Sequence, residues 1–422
     1  MLAVLRIRDF RLLWSSRLVS QLGTWLLTIA VPAYVLELTG SVMATGLTLA
    51  AEYLPLLLLG PFAGVLADRW DRRRLMYSTD LFRAVAVSLL LVVDSPGMVW
   101  LIYVALFTES AGSVLFRPAA QAHVPALIGT GSALSSANAL NSITDGTVRL
   151  VGPPLGAALA AFVGIDFVIG ADIASYLISA LAIALSTRRP LGRDRTDAAI
   201  SRYRTELHEG LTALRESRIA RGLLLISTLF LTANASLSAL LVPFGVTRLG
   251  GSEQTGFVVS ALGVGFLLGG PLIRALLDRT QPRRLLAAGL AGVAAGFITL
   301  FSASSLTAAA PAAVAIGVFG SMALVVPQTA LQRALPNAVL GRVSSVFFAA
   351  EALATLIGAV VGPSTAQAFG IRTVAAAACV VTLAAAALCA TLPRVAVPAT
   401  AAGTGPGPRN TEEEDDPLNP RP

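Results

Sequence analysis

Long apolar runs, separated by short charged segments, recur along this chain from one end to the other. A run of roughly 18 or more such residues is long enough to cross about 30 Å of hydrocarbon as a helix. In lipid only helices or closed barrels satisfy their own backbone, and these runs lack the alternation of a barrel strand. The pattern predicts spans near 12–36, 43–66, 75–93, 98–120, 138–163 and 167–187, then 220–246, 254–277, 284–304, 309–332, 343–367 and 372–392. Hydrophobic residues make up 55% of the chain and charged ones only 13%, with mean hydropathy +0.74, far from the ~25% charge of a soluble domain. The fold class expected is an all-α integral membrane protein with twelve transmembrane helices in two pseudo-symmetric six-helix halves.

The domains expected are 1–187, a cytoplasmic linker at 188–219, 220–392, and a disordered tail at 393–422. Within the linker, Tyr203, Leu207, Leu211 and Leu214 form one apolar stripe, which predicts an amphipathic helix on the membrane surface. No cleavable signal peptide is expected, because the first apolar run is too long.

Charge places the ends. All 31 basic residues are Arg, and 23 of them fall in segments that share one side if the N-terminus is cytoplasmic. Only Arg248 and Arg372 lie in turns on the other side. The positive-inside rule then predicts both termini in the cytoplasm. The same distribution argues against nucleic acid as a partner. Without Lys there is no phosphate-binding loop of the GxxxxGK[ST] type and no Schiff-base lysine. Cys379 and Cys389 lie in one span, too far apart along it to pair, and with only His123 and His208 no metal site is expected. No cofactor and no enzymatic activity are expected.

The chain also repeats. Gly60-Pro-Phe-Ala-Gly-Val-Leu-Ala-Asp-Arg-Trp-Asp-Arg-Arg-Arg-Leu75 returns, 210 residues on, as Gly270-Pro-Leu-Ile-Arg-Ala-Leu-Leu-Asp-Arg-Thr-Gln-Pro-Arg-Arg-Leu285. Val151-Gly-Pro153 matches Val361-Gly-Pro363 at the same offset. Parallel six-span repeats are a transporter architecture, with the solute site at their interface. In the charged turn, Asp68 closes a span while Arg69, Arg72 and Arg73 sit at the membrane surface beside Asp71. The expected role is a gate, in which Asp68 holds the halves together near the start of span eleven around Arg342. Positive-inside anchoring alone would explain the arginines, but not Asp68 with Gly64, nor the weaker second copy at Asp278 and Arg279.

These residues resemble the major facilitator superfamily over 8–392. Gly64-Val-Leu-Ala-Asp-Arg-Trp-Asp-Arg-Arg73 is similar to its loop between spans two and three, with Asp71 where Gly is common. Phe10-Arg-Leu-Leu-Trp14, Ser20-Gln-Leu-Gly23 and Asp172-Ile-Ala-Ser-Tyr-Leu177 resemble the third drug:proton antiporter family, which includes macrolide and siderophore exporters. That family often carries an acidic residue after Ser-x-x-Gly, where this chain has Thr24. Gly152-Pro153-Pro-Leu-Gly156 resembles its antiporter motif, whose small residues let helices approach closely. The resemblance implies residence in a bacterial inner membrane, alternating access and proton-coupled efflux of drugs or of macrolide-like or siderophore-like amphiphiles. The alternatives are an importer or facilitator of a metabolite or lysophospholipid, or more remotely a non-transporting membrane protein or enzyme.

Charges inside the spans are the functional candidates, since each costs roughly 2.5–3.5 kcal/mol to insert. Glu109 and Arg149 fall at similar depth, which suggests an ion pair; Glu109, Ser113 and Arg117 are spaced to share a face, and Asp145 can pair with Arg149. Glu52 and Glu351 have no evident cation and are the better proton carriers. Asp80 and Arg83 read as support for the charged turn, and Asp172 as a helix cap. Gln21, Trp25, Arg117 and Asn234 are candidate cavity residues. The partners expected are a small-molecule substrate, protons and lipid, with the protein a monomer. The topology has a direct check: a reporter active only in the cytoplasm, fused after residue 392, is expected to be active, and one inserted in the turn at 163–166 silent; the reverse pattern would invert the orientation.

Overall fold

The computed structural model describes residues 2–129, 132–187, 211–277, 279–335 and 337–393. Twelve long helices account for most of them, with no strand among the described residues. The first six are α1 (Arg8–Thr39), α2 (Val42–Arg69), α3 (Arg72–Ser88), α4 (Val99–Ile128), α5 (Ser132–Phe162) and α6 (Ile165–Ala184). The second six are α7 (Arg218–Phe244), α8 (Ser252–Leu277), α9 (Pro282–Ser302), α10 (Leu306–Ala334), α11 (Asn337–Phe369) and α12 (Ile371–Leu388). Among the described residues, 11 segments are long and apolar enough to span a membrane. The remaining long helix is α5, diluted by Asn138, Asn141, Asp145, Arg149 and its Gly-Pro-Pro segment. Of the predicted surface helix, 203–210 lies outside the described residues; 211–216 is helical and buries Leu214 in the core of the second half.

The repeat is visible in the turns. Gly40 ends α1 at φ 63°, and Gly250, 210 residues on, stands at φ 101° before α8. Gly164 and Gly370 precede α6 and α12 at φ 109° and 84°. A Cβ in this left-handed region meets the carbonyl, so glycine is the residue that lets these hairpins turn within one or two positions.

The packing repeats as well. In the first half α1 lies against α5 and α6, α4 against α2 and α3, and α3 against α6. In the second half α7 lies against α11 and α12, α10 against α8 and α9, and α9 against α12. Two main contacts join the halves, α2 with α11 and α5 with α8, and the pseudo-two-fold exchanges them; smaller ones link α1 and α2 to α7 and α1 to α8.

Both junctions rest on glycine and proline. Gly46 of α2 lies on Pro363 of α11; its counterpart Gly256 of α8 lies on Pro153, Pro154 and Ala157 of α5. In each case a Cβ would collide with the facing helix. Ser260 Oγ donates to the Leu150 carbonyl at 2.6 Å, and Ser364 Oγ to Met43 Sδ at 3.2 Å. Ile29, Ala157 and Val242 add a small apolar cluster that bridges the halves. These contacts lie toward the end of the bundle that carries the α1–α2 and α5–α6 turns, and others reach mid-depth, where Gly146 meets Leu267. The end that carries the N-terminus and the α2–α3 turn is called here the terminal end.

Within the first half, Gly152 lies against Trp25 and Gly156 against the Leu26 carbonyl, so the antiporter-like motif brings α5 onto α1. Gly156→Val is expected to destabilise the protein by ~1–3 kcal/mol through overpacking, whereas Gly170→Ala, which meets nothing within 4 Å, is expected to be neutral. Thermal stability in detergent distinguishes the two.

Candidate functional site

Two sets of polar side chains lie inside the first half. One is sealed among α1, α3, α4 and α6. Arg83 forms an ion pair with Asp80, and Ser179 Oγ donates to the other Asp80 oxygen at 2.5 Å. A second arm of Arg83 donates to Ser113 Oγ at 3.1 Å, and Ser113 in turn donates to Glu109 Oε1 at 2.9 Å. Tyr176 OH donates to the same Glu109 oxygen at 2.7 Å and lies 2.8 Å from Thr24 Oγ1 on α1. The Arg83 guanidinium also stacks on Phe116 and Tyr176, with its stem lodged against Gly112. Asp172 completes the set against Gly23 and Ser175, with Oδ2 buried and unpartnered. Asp80 and Asp172 are 0% exposed, Arg83 5% and Glu109 8%.

This network is not a requirement of the fold. The buried faces of α3 and α9 align at an offset of 210 residues, which sets Leu290 and Val293 opposite Asp80 and Arg83. Those of α4 and α10 align at 207 and those of α6 and α12 at 206, which sets Ile316 opposite Glu109 and Ala378 opposite Asp172. All four belong to one apolar core. The same architecture is built without the charges, so the charges have another use.

The second set surrounds the space between the halves. Arg17 of α1 pairs with Asp145 of α5 at 3.6 Å and lies near Arg117 of α4. Glu52 of α2 is half-buried, close enough to Glu109 for their charges to interact, and has no hydrogen bond or ion pair from its carboxyl among the described residues. The guanidinium of Arg149 on α5 lies over the ring of Trp25, 5.3 Å away on α1, and over that of Phe266, 5.6 Å away on α8.

Several expectations are corrected. Glu109 does not pair with Arg149: it turns toward α3 and α6, while Arg149 faces α1 and α8. Asp145 pairs with Arg17 rather than Arg149. Arg117 does not share the Glu109–Ser113 face, because eight residues of α-helix over-rotate by roughly 80°; it is exposed near Arg17 and Tyr53. Asp80 and Arg83 do not support the charged turn but anchor the buried network. Asp172 is no cap: Gly164 holds that position, and Asp172 lies two turns inside α6.

In the charged turn, Asp71 caps α3 by accepting from the Arg74 amide at 3.1 Å. Arg72 donates to the Ala122 carbonyl at 2.9 Å, and Arg73 to the carbonyls of Ile183 and Ala184. These arginines staple α3 to α4 and to the C-terminal carbonyls of α6 within one half. Asp278 and the side chains of Gly64, Asp68, Arg69 and Arg342 lie outside the described residues, as does any contact of the gate they were expected to form; Arg279 is exposed. Gln21, Asn234 and Glu351 are half-buried, Gln21 with a buried unpartnered oxygen. Asn234 is the counterpart of Thr24 at the offset of 210 residues.

Sequence reasoning passed over Tyr176, Ser179, Tyr53 and Phe266. The signal for the first two was present: Asp172, Ser175, Tyr176 and Ser179 are spaced to form one polar stripe on an otherwise apolar helix.

Two six-helix repeats around a central polar space, joined by α2–α11 and α5–α8, define a transporter of the major facilitator fold. The chain belongs to the transmembrane secretion effector family (MFS_3), which it matches over residues 1–413. Macrolide efflux protein A of Streptococcus pyogenes is 27% identical over 377 residues, covering 86% of this chain and 90% of that protein. The enterobactin exporter EntS of Escherichia coli O1:K1 is 25% identical over 361 residues, covering 83% of each. Among solved structures, nucleoside transporter NupG superposes with a TM-score of 0.75 over 92% of this chain and 99% of its own, at 12% identity, a likeness of fold alone.

Removing one partner of the buried Asp80–Arg83 pair is expected to cost about 3–5 kcal/mol, because the other charge is left uncompensated. Arg83→Met should therefore lower the unfolding temperature in detergent sharply. The double variant Asp80→Asn with Arg83→Met should recover part of the loss, as the apolar counterparts Leu290 and Val293 imply.

Proposed function

We propose that this major facilitator transporter exports an amphiphilic small molecule in exchange for protons, with both termini in the cytoplasm. The reading rests above all on the charge imbalance inside the first half. Asp80, Glu109 and Asp172 share the single guanidinium of Arg83, with Glu52 close to Glu109. A low-dielectric interior does not tolerate several uncompensated carboxylates, so protons supply the balance. The Thr24–Tyr176–Glu109 chain links this store to α1, a helix that borders the central space. A local shift of α1 against α6 within the first half breaks or re-forms that chain, and the protonation of the carboxyls changes with it.

Glu52 is the group through which protons enter or leave, since it is only half-buried, outside the sealed network, and its carboxyl is unpaired among the described residues. The arginine asymmetry supports a cytoplasmic terminal end. The inter-half contacts toward the other end then close the outer mouth, as in an inward-facing state. The relatives that export macrolides and enterobactin favour outward transport over uptake.

The test is uptake into inverted membrane vesicles across a panel of fluorescent amphiphiles, with and without an imposed pH gradient. Accumulation is expected only with the gradient. Glu52→Gln should lower it at least tenfold while downhill exchange of the same compound continues. Equal accumulation after the gradient is collapsed would overturn proton coupling, and accumulation in right-side-out vesicles alone would overturn export.

A further inference from the structure

We infer that the central space is built for an anionic substrate with a flat aromatic body, and that Arg149 is its principal ligand. This rests on the transporter reading above and narrows its substrate class. Rings from the two halves, Trp25 and Phe266, cover the Arg149 guanidinium, 5.3 and 5.6 Å from it to their centroids. Such contacts hold the guanidinium plane while leaving its N–H edge free. Among the described residues no carboxylate or carbonyl takes that edge, and the residue is exposed although it lies near the middle of α5.

A second guanidinium reinforces the first. Arg117 is also exposed and without an ion pair among the described residues, and the phenol of Tyr53 lies within electrostatic reach of both. The remaining central charges do not neutralise them. Arg17 and Asp145 satisfy each other, and the charge that interacts with Glu52 is that of Glu109. Two guanidiniums are therefore left for a ligand. A carboxylate, phenolate or phosphate takes a guanidinium edge in paired, charge-assisted hydrogen bonds, and an aromatic body attached to it can lie beside the two rings. A cationic amphiphile would meet two like charges instead. Because Trp25 and Phe266 belong to opposite halves, the grip on Arg149 is complete only while α1 and α8 stay close.

The test is equilibrium binding by fluorescence anisotropy, on the full-length purified protein in detergent with no gradient. Carboxyfluorescein serves as the anionic aromatic probe and rhodamine 6G as the cationic one. Carboxyfluorescein is expected to bind the more tightly, and Arg149→Gln to weaken it at least tenfold without weakening rhodamine 6G. Arg149→Lys should restore little, since an ammonium lacks the planar fork. Arg117→Gln, in which Arg149 and its rings are intact, should weaken carboxyfluorescein several-fold. Preference for rhodamine 6G, or unchanged carboxyfluorescein binding in Arg149→Gln and Arg117→Gln, would overturn the assignment. Because no gradient is used, these results are independent of proton coupling: intact anion binding with gradient-independent transport would sink the coupling alone, and the opposite pair of results the anion site alone.

Discussion

Helices in hydrocarbon gain nothing from the hydrophobic effect when they touch, because lipid tails are as apolar as leucine. Close van der Waals approach must do that work, and this constraint governs the whole bundle. At several of the close helix crossings here, a glycine removes the side chain that would keep the helices apart. Gly152 and Gly156 bring α5 onto α1, and Gly358 and Gly362 bring α11 onto α7. Gly46 and Gly256 do the same between halves, each against a proline of the facing helix. A proline ring is rigid and presents one fixed shape, so each junction has a defined geometry where glycine meets proline, from which the contact continues along the helices toward mid-depth.

Against that shared framework the two halves differ in what they bury. The second packs Leu290, Val293, Ile316 and Ala378 where the first places two aspartates, an arginine and a glutamate. The apolar version is the simpler solution to stability, since burying ions seldom repays their desolvation. Retaining the charged version in one half only divides the labour. The second half serves as a scaffold, and the first carries the groups that bind and release protons under the proposed coupling. Thr24 fits this division, since its hydroxyl brings α1 into hydrogen-bond contact with the network through Tyr176.

The spans, the duplication and the motifs of close approach were all legible in the sequence, because each depends on composition and spacing along one chain. What could not be read was azimuth. Counting along the spans sets Glu109 and Arg149 at similar depth, but depth does not say which way a side chain turns. The i, i+4 spacing from Glu109 to Ser113 held, with a hydrogen bond of 2.9 Å. One turn further the helical phase had drifted, and Arg117 is exposed near Arg17 and Tyr53 instead. Partners of Glu109 on α3 and α6 lie 26 residues before it and 67 after, and only packing could bring Arg83 and Tyr176 to it. Phe266 was harder still, since its significance lies in a contact with the other half.

The two glycine–proline junctions have a mechanical consequence. Two contacts related by a two-fold axis define a line, and a rigid half that rocks about that line keeps both while the contacts nearer mid-depth, such as Gly146 on Leu267, open or close. The two junctions act as paired fulcra set close to one end of the bundle. From Gly46 to the end of α2 at Arg69 the lever is roughly 35 Å at 1.5 Å per residue. A tilt of only about 10° therefore sweeps the far end of the helix through ~6 Å, and the charged turn rides on the tip of that lever.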